Sequence, residues 1–220
     1  MKRPRVLLAD DHQMLADALQ SVLEPRYDVV GKVGNGRALL EAANRLQPDI
    51  VVLDIGMPQL NGFDAGRKLK HDLPNVKLIF MTMHEDPYLV GEAFRAGASG
   101  FLLKEAAASE LTEAIDQVMK GGSYITKSAA EGLNQISLRD PKNRAQAPEP
   151  TPRQREVIQL LAEGRSMKEV AYELKITRRT VAGHKYAVME LLQLKTNADL
   201  VQYAIEHGII SLHRNSFPHR

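Results

Sequence analysis

From residue 5 to residue 120, short apolar runs alternate with segments of helical periodicity, and this alternation constrains the fold more than any other feature. In the helical segments, apolar residues recur every three or four positions. Strands that alternate with helices predict a parallel sheet covered on both faces, that is, a doubly wound α/β domain. The predicted strands are 5–9, 28–33, 50–53, 77–81 and 100–103, and the predicted helices are 12–23, 37–46, 63–71, 87–95 and 107–120.

Polar residues directly follow four of these apolar runs. Asp10 and Asp11 end the first run, Asp54 the third, Thr82 the fourth and Lys104 the fifth. The carboxyl ends of parallel strands meet at one edge, and in the flavodoxin-like order 2-1-3-4-5 the first and third strands are neighbours. We therefore expect these five side chains to converge on one site.

The chemistry of such a site follows from its charges. Three crowded carboxylates repel one another, and a hard divalent cation such as Mg²⁺ relieves that repulsion. With Lys104 as a second positive charge, the site could stabilise a phosphoryl group in transfer. Asp54 would then be the nucleophile that forms an acyl phosphate, and the Thr82 hydroxyl would bond the phosphoryl group. His12 and His84 flank the site, and we assign them no metal role.

Each of these residues also has an ordinary structural interpretation when taken alone. An aspartate pair is commonly a solvated turn or a helix cap, a lone lysine is commonly exposed, and a threonine is commonly a strand-end hydroxyl. The functional interpretation depends on their joint occurrence at successive strand ends.

The sequence changes character after residue 133. Residues 134–150 are polar, contain three prolines and lack an apolar face, which predicts a linker. Residues 151–220 show only helical patterns, with Thr151, Ser166 and Thr177 as expected N-caps. Two short helices joined by a tight turn, the second rich in basic residues, indicate a helix-turn-helix. We therefore expect a domain at 1–133, a linker at 134–150 and a four-helix domain at 151–220.

The charge is distributed unevenly between these parts. Residues 1–133 carry 15 Lys and Arg against 18 Asp and Glu, whereas residues 151–220 carry 11 against 7. The basic balance of the second part favours a polyanionic partner. The chain has no cysteine, which excludes disulfides and cysteine nucleophiles. No apolar run approaches the roughly eighteen residues of a membrane span, so we expect a cytoplasmic protein without membrane contact.

These motifs resemble a known family. The segments LLADDH, VVLDIGMPQLNG, IFMTMHED and GASGFLLKEA look like the receiver domain of two-component response regulators. The segment TPRQREVIQLLAEGRSMKEVAYELKITRRTVAGH resembles the LuxR-type helix-turn-helix. In this order they resemble the NarL/FixJ subfamily over roughly 5–133 and 151–210. The resemblance implies a phosphorylation switch, a sensor histidine kinase as phosphodonor and a double-stranded DNA operator. It also implies a homodimer when phosphorylated, and a regulator that is not classed as an enzyme.

The resemblance also implies roles for residues of the first domain. Asp54 would be the phosphoacceptor, and Lys104 would pair with the phosphate. Thr82 and Phe101 would be switch residues. The Mg²⁺ ligands would be Asp10, Asp11, Asp54 and the backbone carbonyl of Gly56.

In the second domain the resemblance places a recognition helix after Thr177. Its groove-facing residues would be Ala182, Gly183 and Tyr186, with Arg178, Arg179 and Lys185 near phosphates and Thr180 and His184 touching the DNA backbone. The chain departs from the family at two of these positions and at one position after the helix. Ala182 stands where the family most often has lysine, Gly183 costs a helix about 1 kcal/mol relative to alanine, and Gln193 replaces a usual glycine. These departures leave the target sequence open.

Two other classes of function remain open at this point. A phospho-controlled adapter would use the helical domain to bind a protein, and its weak DNA binding would depend little on salt. A flavodoxin-like redox enzyme fits the sequence poorly, because ADDHQ stands where a glycine-rich nucleotide loop would follow the first strand.

Overall fold

The structure is a computed structural model of the 220-residue chain, and it describes residues 3–131 and 149–210. The chain divides into two compact units, Met1–Pro141 and Lys142–Arg220. Nearly all of the predicted linker 134–150 lies outside the described residues, so its limits stay a prediction. No helix in the two described ranges is long and apolar enough to cross a bilayer.

In the first unit, a parallel sheet alternates with helices as the apolar pattern predicts. The strand order is β2-β1-β3-β4-β5-β6, so the predicted order of the first five strands is confirmed and a sixth strand is added at the edge. The strands are β1 (Arg5–Ala9), β2 (Asp28–Val33), β3 (Ile50–Asp54), β4 (Lys77–Thr82), β5 (Gly100–Leu103) and β6 (Tyr124–Ile125). The helices are α1 (Gln13–Leu23), α2 (Gly36–Leu46), α3 (Gly62–Asp72), α4 (Pro87–Arg95) and α5 (Lys104–Met119).

The sheet is buried on both faces, which is why its central strands are apolar without alternation. Every residue of β3 is buried. Alternate residues of β3 face opposite sides, so Val51 and Leu53 join one core cluster and Ile50 and Val52 join the other. The central strands therefore end abruptly where polar residues begin, at the carboxyl edge of the sheet.

The sixth strand was not predicted from the sequence. Its two residues pair with β5, with Tyr124 opposite Gly100 and Ile125 opposite Phe101. The next residue, Thr126, donates its backbone N–H to the Phe101 carbonyl at 3.0 Å. Two residues carry no readable periodicity, so the pairing depends on the completed sheet. A helical run begins at residue 127 and continues to residue 131, the limit of this described range.

The second unit contains four helices in its described range, as expected. They are α6 (Pro152–Ala162), α7 (Met167–Glu173), α8 (Arg178–Leu191) and α9 (Asn197–Glu206). The predicted N-caps Thr151, Ser166 and Thr177 each accept a backbone N–H from three residues later, and Thr196 caps α9 in the same way. A tight turn joins α7 to α8, with Lys175 in the left-handed conformation (φ 53°). This arrangement is a helix-turn-helix.

Candidate functional site

Two buried carboxylates lie side by side at the carboxyl edge of the sheet. Because β1 and β3 are neighbours with Ala9 opposite Leu53, Asp10 and Asp54 come next on adjacent strands. Asp10 is only 4% exposed and Asp54 only 3% exposed. The topology therefore brings two like charges together in a place that is almost closed to solvent.

A single ammonium group bridges these two carboxylates. Lys104 opens α5 directly after β5, and its Nζ lies 2.9 Å from Asp10 Oδ2 and 3.0 Å from Asp54 Oδ2. Since β4 lies between β5 and β3, the lysine side chain must pass the end of β4 to reach Asp54. The predicted convergence of Asp10, Asp54 and Lys104 is thus confirmed.

The protonation of the site follows from burial and from these contacts. Burial raises the pKa of Asp54 from 3.8 to about 6; the Lys104 ammonium opposes this rise and the Asp10 carboxylate adds to it. A hydrogen bond from the backbone of Gly56 also favours the ionised Asp54. Burial by itself would lower the pKa of Lys104, but the carboxylates of Asp54 and Asp10 outweigh burial and raise it. Lys104 therefore stays a cation.

Asp11 and His12 complete the cluster on the loop after β1. Nδ1 of His12 lies 3.1 Å from Asp11 Oδ1 and 3.2 Å from Asp10 Oδ1. Ligand atoms of Asp10, Asp11, His12 and Asp54 all lie within 4.8 Å of one another. His12 was not expected to be a metal ligand, but its ring lies against both acids and within the cluster. The loop folds back because the His12 backbone N–H donates to Asp10 Oδ1 at 2.8 Å.

The donor set suits a hard divalent cation. Three carboxylates face one ammonium, so the cluster carries excess negative charge even with Lys104 ionised. Carboxylate and carbonyl oxygens are the ligands that Mg²⁺ takes in proteins. The residues present therefore fit a magnesium ion.

Thr82 is the last residue of β4, and Phe101 lies in the neighbouring strand β5, two residues before its carboxyl end. Thr82 is 3% exposed, and its hydroxyl accepts the His84 backbone N–H at 3.1 Å. Phe101 is fully buried and lies opposite Phe80 in the β4–β5 pairing. Thr82 thus lies at the carboxyl edge and Phe101 in the core behind it, and the switch roles given to them remain predictions.

The loop after Asp54 requires a glycine at position 62. The Gly62 backbone N–H donates to the Ile55 carbonyl at 2.8 Å. A Cβ at Gly62 would lie 2.3 Å from the Asp54 carbonyl oxygen, so no larger residue fits there. Asn61 caps α3 by accepting the Asp64 backbone N–H. The loop is therefore held tightly beneath the carboxylate.

An ion-pair network that was not predicted from the sequence ties α3 to α4. Arg67 of α3 donates to Glu92 of α4 at 2.6 Å and to Asp64 at 3.0 Å. Arg95 donates to the same Glu92 at 2.7 Å. The pairs at three-residue spacing, Asp64 with Arg67 and Glu92 with Arg95, were readable as helical neighbours. The link between the two helices was not, because only the tertiary fold brings Arg67 to Glu92.

In the second unit, α8 presents one buried and one exposed side. Its buried residues are Val181, Lys185 and Val188. Gly183 is exposed and Tyr186 is 61% exposed. Among the other residues predicted to contact DNA, Arg178, Arg179 and Thr180 are exposed, and Ala182 and His184 are half-buried.

Lys185, predicted to lie near DNA phosphates with Arg178 and Arg179, is buried, unlike those two residues. It follows Val181 by four positions and precedes Val188 by three, which puts it on the buried side of α8. It is only 9% exposed, with its Nζ 5.4 Å from the centre of the Tyr186 ring. The structure therefore leaves Arg178 and Arg179 as the exposed basic residues of this helix within the described range.

Comparison with known proteins agrees with this geometry. Residues 6–116 match the family model for the response regulator receiver domain, and residues 151–204 match the model for bacterial regulatory proteins of the luxR family. The chain belongs to the NarL/FixJ response regulators. It therefore combines a receiver domain with a LuxR-type helix-turn-helix domain, the organisation of a transcriptional response regulator.

Relatives match along nearly the whole response regulator. The transcriptional regulatory protein MctR of Rhizobium johnstonii is 33% identical over 94% of this chain and 95% of its own length. The response regulator protein VraR of Staphylococcus saprophyticus is 32% identical over 94% of this chain and 98% of its own length.

Solved structures of RcsB share the fold. RcsB of Salmonella typhimurium is 25% identical with a TM-score of 0.66, covering 94% of this chain and 99% of that one. RcsB from Salmonella enterica serovar Typhimurium, bound to promoter DNA in the presence of the phosphomimetic BeF₃⁻, is also 25% identical, with a TM-score of 0.59 over 92% and 98% of the two chains.

Proposed function

We propose that this response regulator accepts one phosphoryl group on Asp54 from a sensor histidine kinase and that this event controls DNA binding by its helical domain. The observation that carries the proposal is the buried cluster in which Lys104 bridges Asp10 and Asp54. Burial this complete disfavours an ionised carboxylate, so the cluster lowers the free energy of unfolding of the domain. A reaction at Asp54 accounts for that cost.

The proposed transfer is a displacement at phosphorus. An Asp54 carboxylate oxygen attacks the phosphorus of a phosphohistidine, the O–P bond forms, the N–P bond breaks, and the imidazole nitrogen keeps the electron pair. A magnesium ion held by Asp10, Asp11, Asp54 and the Gly56 carbonyl would neutralise charge on the phosphoryl oxygens.

Other residues of this chain would position the phosphoryl group. Lys104 exchanges its contact with Asp54 Oδ2 for one with a phosphoryl oxygen, and the Thr82 hydroxyl leaves the His84 N–H to bond another. The acyl phosphate forms once per aspartate, so the chain acts as a phosphorylated regulator and not as an enzyme.

Phosphorylation would then shift a two-state receiver. Thr82 lies on β4, and Phe101 lies on the paired neighbouring strand β5. In the proposal, a movement of Thr82 toward the phosphoryl group shifts the end of β4, and the pairing passes this shift to β5 and Phe101. In the proposal this rearrangement favours a homodimer that binds an operator with two half-sites.

The helical domain supplies the proposed DNA contacts. Arg178 and Arg179 are exposed at the first turn of α8, where their guanidinium groups can reach phosphates. Ala182, Gly183 and Tyr186 would face the major groove, with Thr180 and His184 touching the DNA backbone. A regulator of this kind acts where the chromosome is, so the proposal places the protein in the bacterial cytoplasm.

The phosphorylation step is tested with acetyl phosphate and Mg²⁺. Intact-mass spectrometry should show one added phosphoryl group on the wild type and none on Asp54→Asn. Asp72→Asn serves as a matched control, because Asp72 is an exposed aspartate at the end of α3. The proposal is wrong if the wild type stays unmodified or if Asp54→Asn is labelled equally well.

The DNA-binding step is separated from the adapter alternative by salt. Binding through phosphate contacts weakens steeply as salt rises, because counterions are released on association. A duplex affinity that hardly changes with salt would favour an adapter that binds protein.

A further inference from the structure

The helix α8 contains a glycine that its own domain does not require. Gly183 lies in the interior of Arg178–Leu191 and is exposed. A Cβ built there meets no heavy atom within 4 Å, whereas a Cβ at Gly62 would meet backbone at 2.3 Å. Gly183 is also absent from the residues with positive φ among those described. Neither packing nor backbone conformation therefore explains a residue that lowers helix stability.

The surroundings of Gly183 indicate what approaches it. Arg179 lies one turn before it and Tyr186 nearly one turn after it, on the same exposed side of the helix. Arg178 adds a second exposed guanidinium at the start of α8. An exposed glycine about one turn after two exposed guanidinium groups suits a polyanion whose surface comes against the helix backbone itself.

We propose that Gly183 allows α8 to enter the major groove unusually closely, and that Ala182 and Tyr186 there read thymine methyl groups. The inference deepens the proposed DNA binding and rests on it. Bidentate readout uses arginine or lysine for guanine and asparagine or glutamine for adenine. Ala182, Gly183 and Tyr186 carry none of these side chains, and the proposal assigns Arg179, one turn earlier, to the phosphates. Apolar side chains contact the thymine methyl group, which projects into the major groove.

The first experiment sets stability against binding in the full-length protein. A duplex site is first selected from a random pool, and Gly183→Ala is compared with the wild type by scanning calorimetry and by DNA titration. Alanine should raise the melting temperature of the helical domain by about 4–8 °C, because it favours the helix. The same change should weaken binding to the selected site about tenfold, because the methyl group occupies space that the DNA needs.

Gly91→Ala is the matched control. Gly91 also lies inside a helix, α4, and a Cβ there would meet only Arg95 Nη1, at 3.7 Å. This variant should stabilise the receiver and leave the affinity for DNA unchanged. If Gly183→Ala binds the selected site as tightly as the wild type or more tightly, the inference is overturned. If the wild type selects no sequence and binds duplexes without salt dependence, the proposed DNA binding itself fails.

The second experiment tests the base class. Each thymine of the selected half-site is replaced in turn by uracil, which differs only by the missing methyl group. Loss of a contacted methyl should weaken wild-type binding about three- to tenfold. Affinity for non-specific DNA and its salt dependence should not change with Gly183→Ala, because the phosphate contacts remain. Uracil substitution without effect, or selected sites that place guanine beneath the centre of α8, would refute the methyl readout.

Discussion

Replacing Asp54 by asparagine should make the protein more stable at neutral pH, although it removes a partner of a buried ion pair. Asparagine keeps the shape of the side chain and removes its charge. Burial raises the pKa of Asp54 from 3.8 to about 6, so the folded protein opposes ionisation in spite of the nearby Lys104 ammonium. The neutral amide imitates the protonated carboxyl group that the fold prefers.

The magnitude follows from this shift in pKa. The difference between 3.8 and about 6 is roughly two pKa units, and each unit corresponds to about 1.4 kcal/mol. The ionised Asp54 therefore costs the fold about 3 kcal/mol at pH 7. Asp54→Asn should recover most of this free energy, because Lys104 retains its contact with Asp10 at 2.9 Å.

The pH dependence has a definite sign. Below the unfolded value of 3.8, the carboxyl group is protonated in both states and costs nothing. Between 3.8 and about 6, the unfolded state ionises while the folded state still holds its proton, so the wild type loses stability as the pH rises. The advantage of Asp54→Asn should thus be near zero at the acid end of this window and reach its full value above it.

Urea denaturation followed by circular dichroism at a series of pH values measures this difference. A chelator is present throughout, since a bound divalent cation would stabilise the ionised wild type. Asp72→Asn is the control and should change the free energy of unfolding by less than about 0.5 kcal/mol, because Asp72 is exposed. If Asp54→Asn is less stable than the wild type at pH 7, the Lys104 ion pair outweighs burial and the reasoning is wrong.

Three further variants test the surroundings of the site. Lys104→Met leaves two buried carboxylates without their shared cation; unfolding free energy should fall by about 3 kcal/mol in denaturant titrations, and labelling by acetyl phosphate should slow. Glu92→Gln should destabilise the receiver by about 2 kcal/mol at pH 7. Burial alone would raise the pKa of Glu92, but Arg67 and Arg95 lower this pKa overall. The ion pairs therefore stabilise the fold above pH 4.5, the ordinary pKa of the group, and this stabilisation disappears as acid protonates Glu92 in the folded state. A Glu92→Gln variant that is equally destabilised in acid would contradict the ion-pair explanation. Gln193→Gly should stabilise the helical domain by about 1 kcal/mol, because residue 193 has φ 55°, and unchanged thermal unfolding would count against this.

The central sheet and the main site could be predicted from the sequence because the strands are recognisable as apolar runs and their ends must meet. Fully buried parallel strands are apolar throughout, so a polar residue marks the end of four of the five apolar runs. The parallel topology then brings those ends together, which explains why Asp10, Asp54 and Lys104 could be grouped without a structure. The family's usual glycine at the position of Gln193 was also informative, since residue 193 has a left-handed backbone conformation in the structure.

Other features depend on tertiary contacts that no local pattern carries. The strand β6 is two residues long and forms only beside β5. The contact of Arg67 with Glu92 joins residues 25 positions apart. Lys185 was expected near DNA phosphates, but its register with Val181 and Val188 puts it on the buried side of α8. The ring of His12 reaches two acids because its own backbone N–H turns the loop toward Asp10.

The central claim is that a phosphoryl group on Asp54 controls DNA binding by the helical domain, and one titration tests it most directly. Affinity for a selected duplex is measured with the full-length protein before and after treatment with acetyl phosphate and Mg²⁺, with Asp54→Asn treated in parallel. We predict that treatment changes the affinity of the wild type about tenfold or more and leaves that of Asp54→Asn unchanged. Equal affinities for phosphorylated and unphosphorylated wild type, or an identical response in Asp54→Asn, would contradict the account.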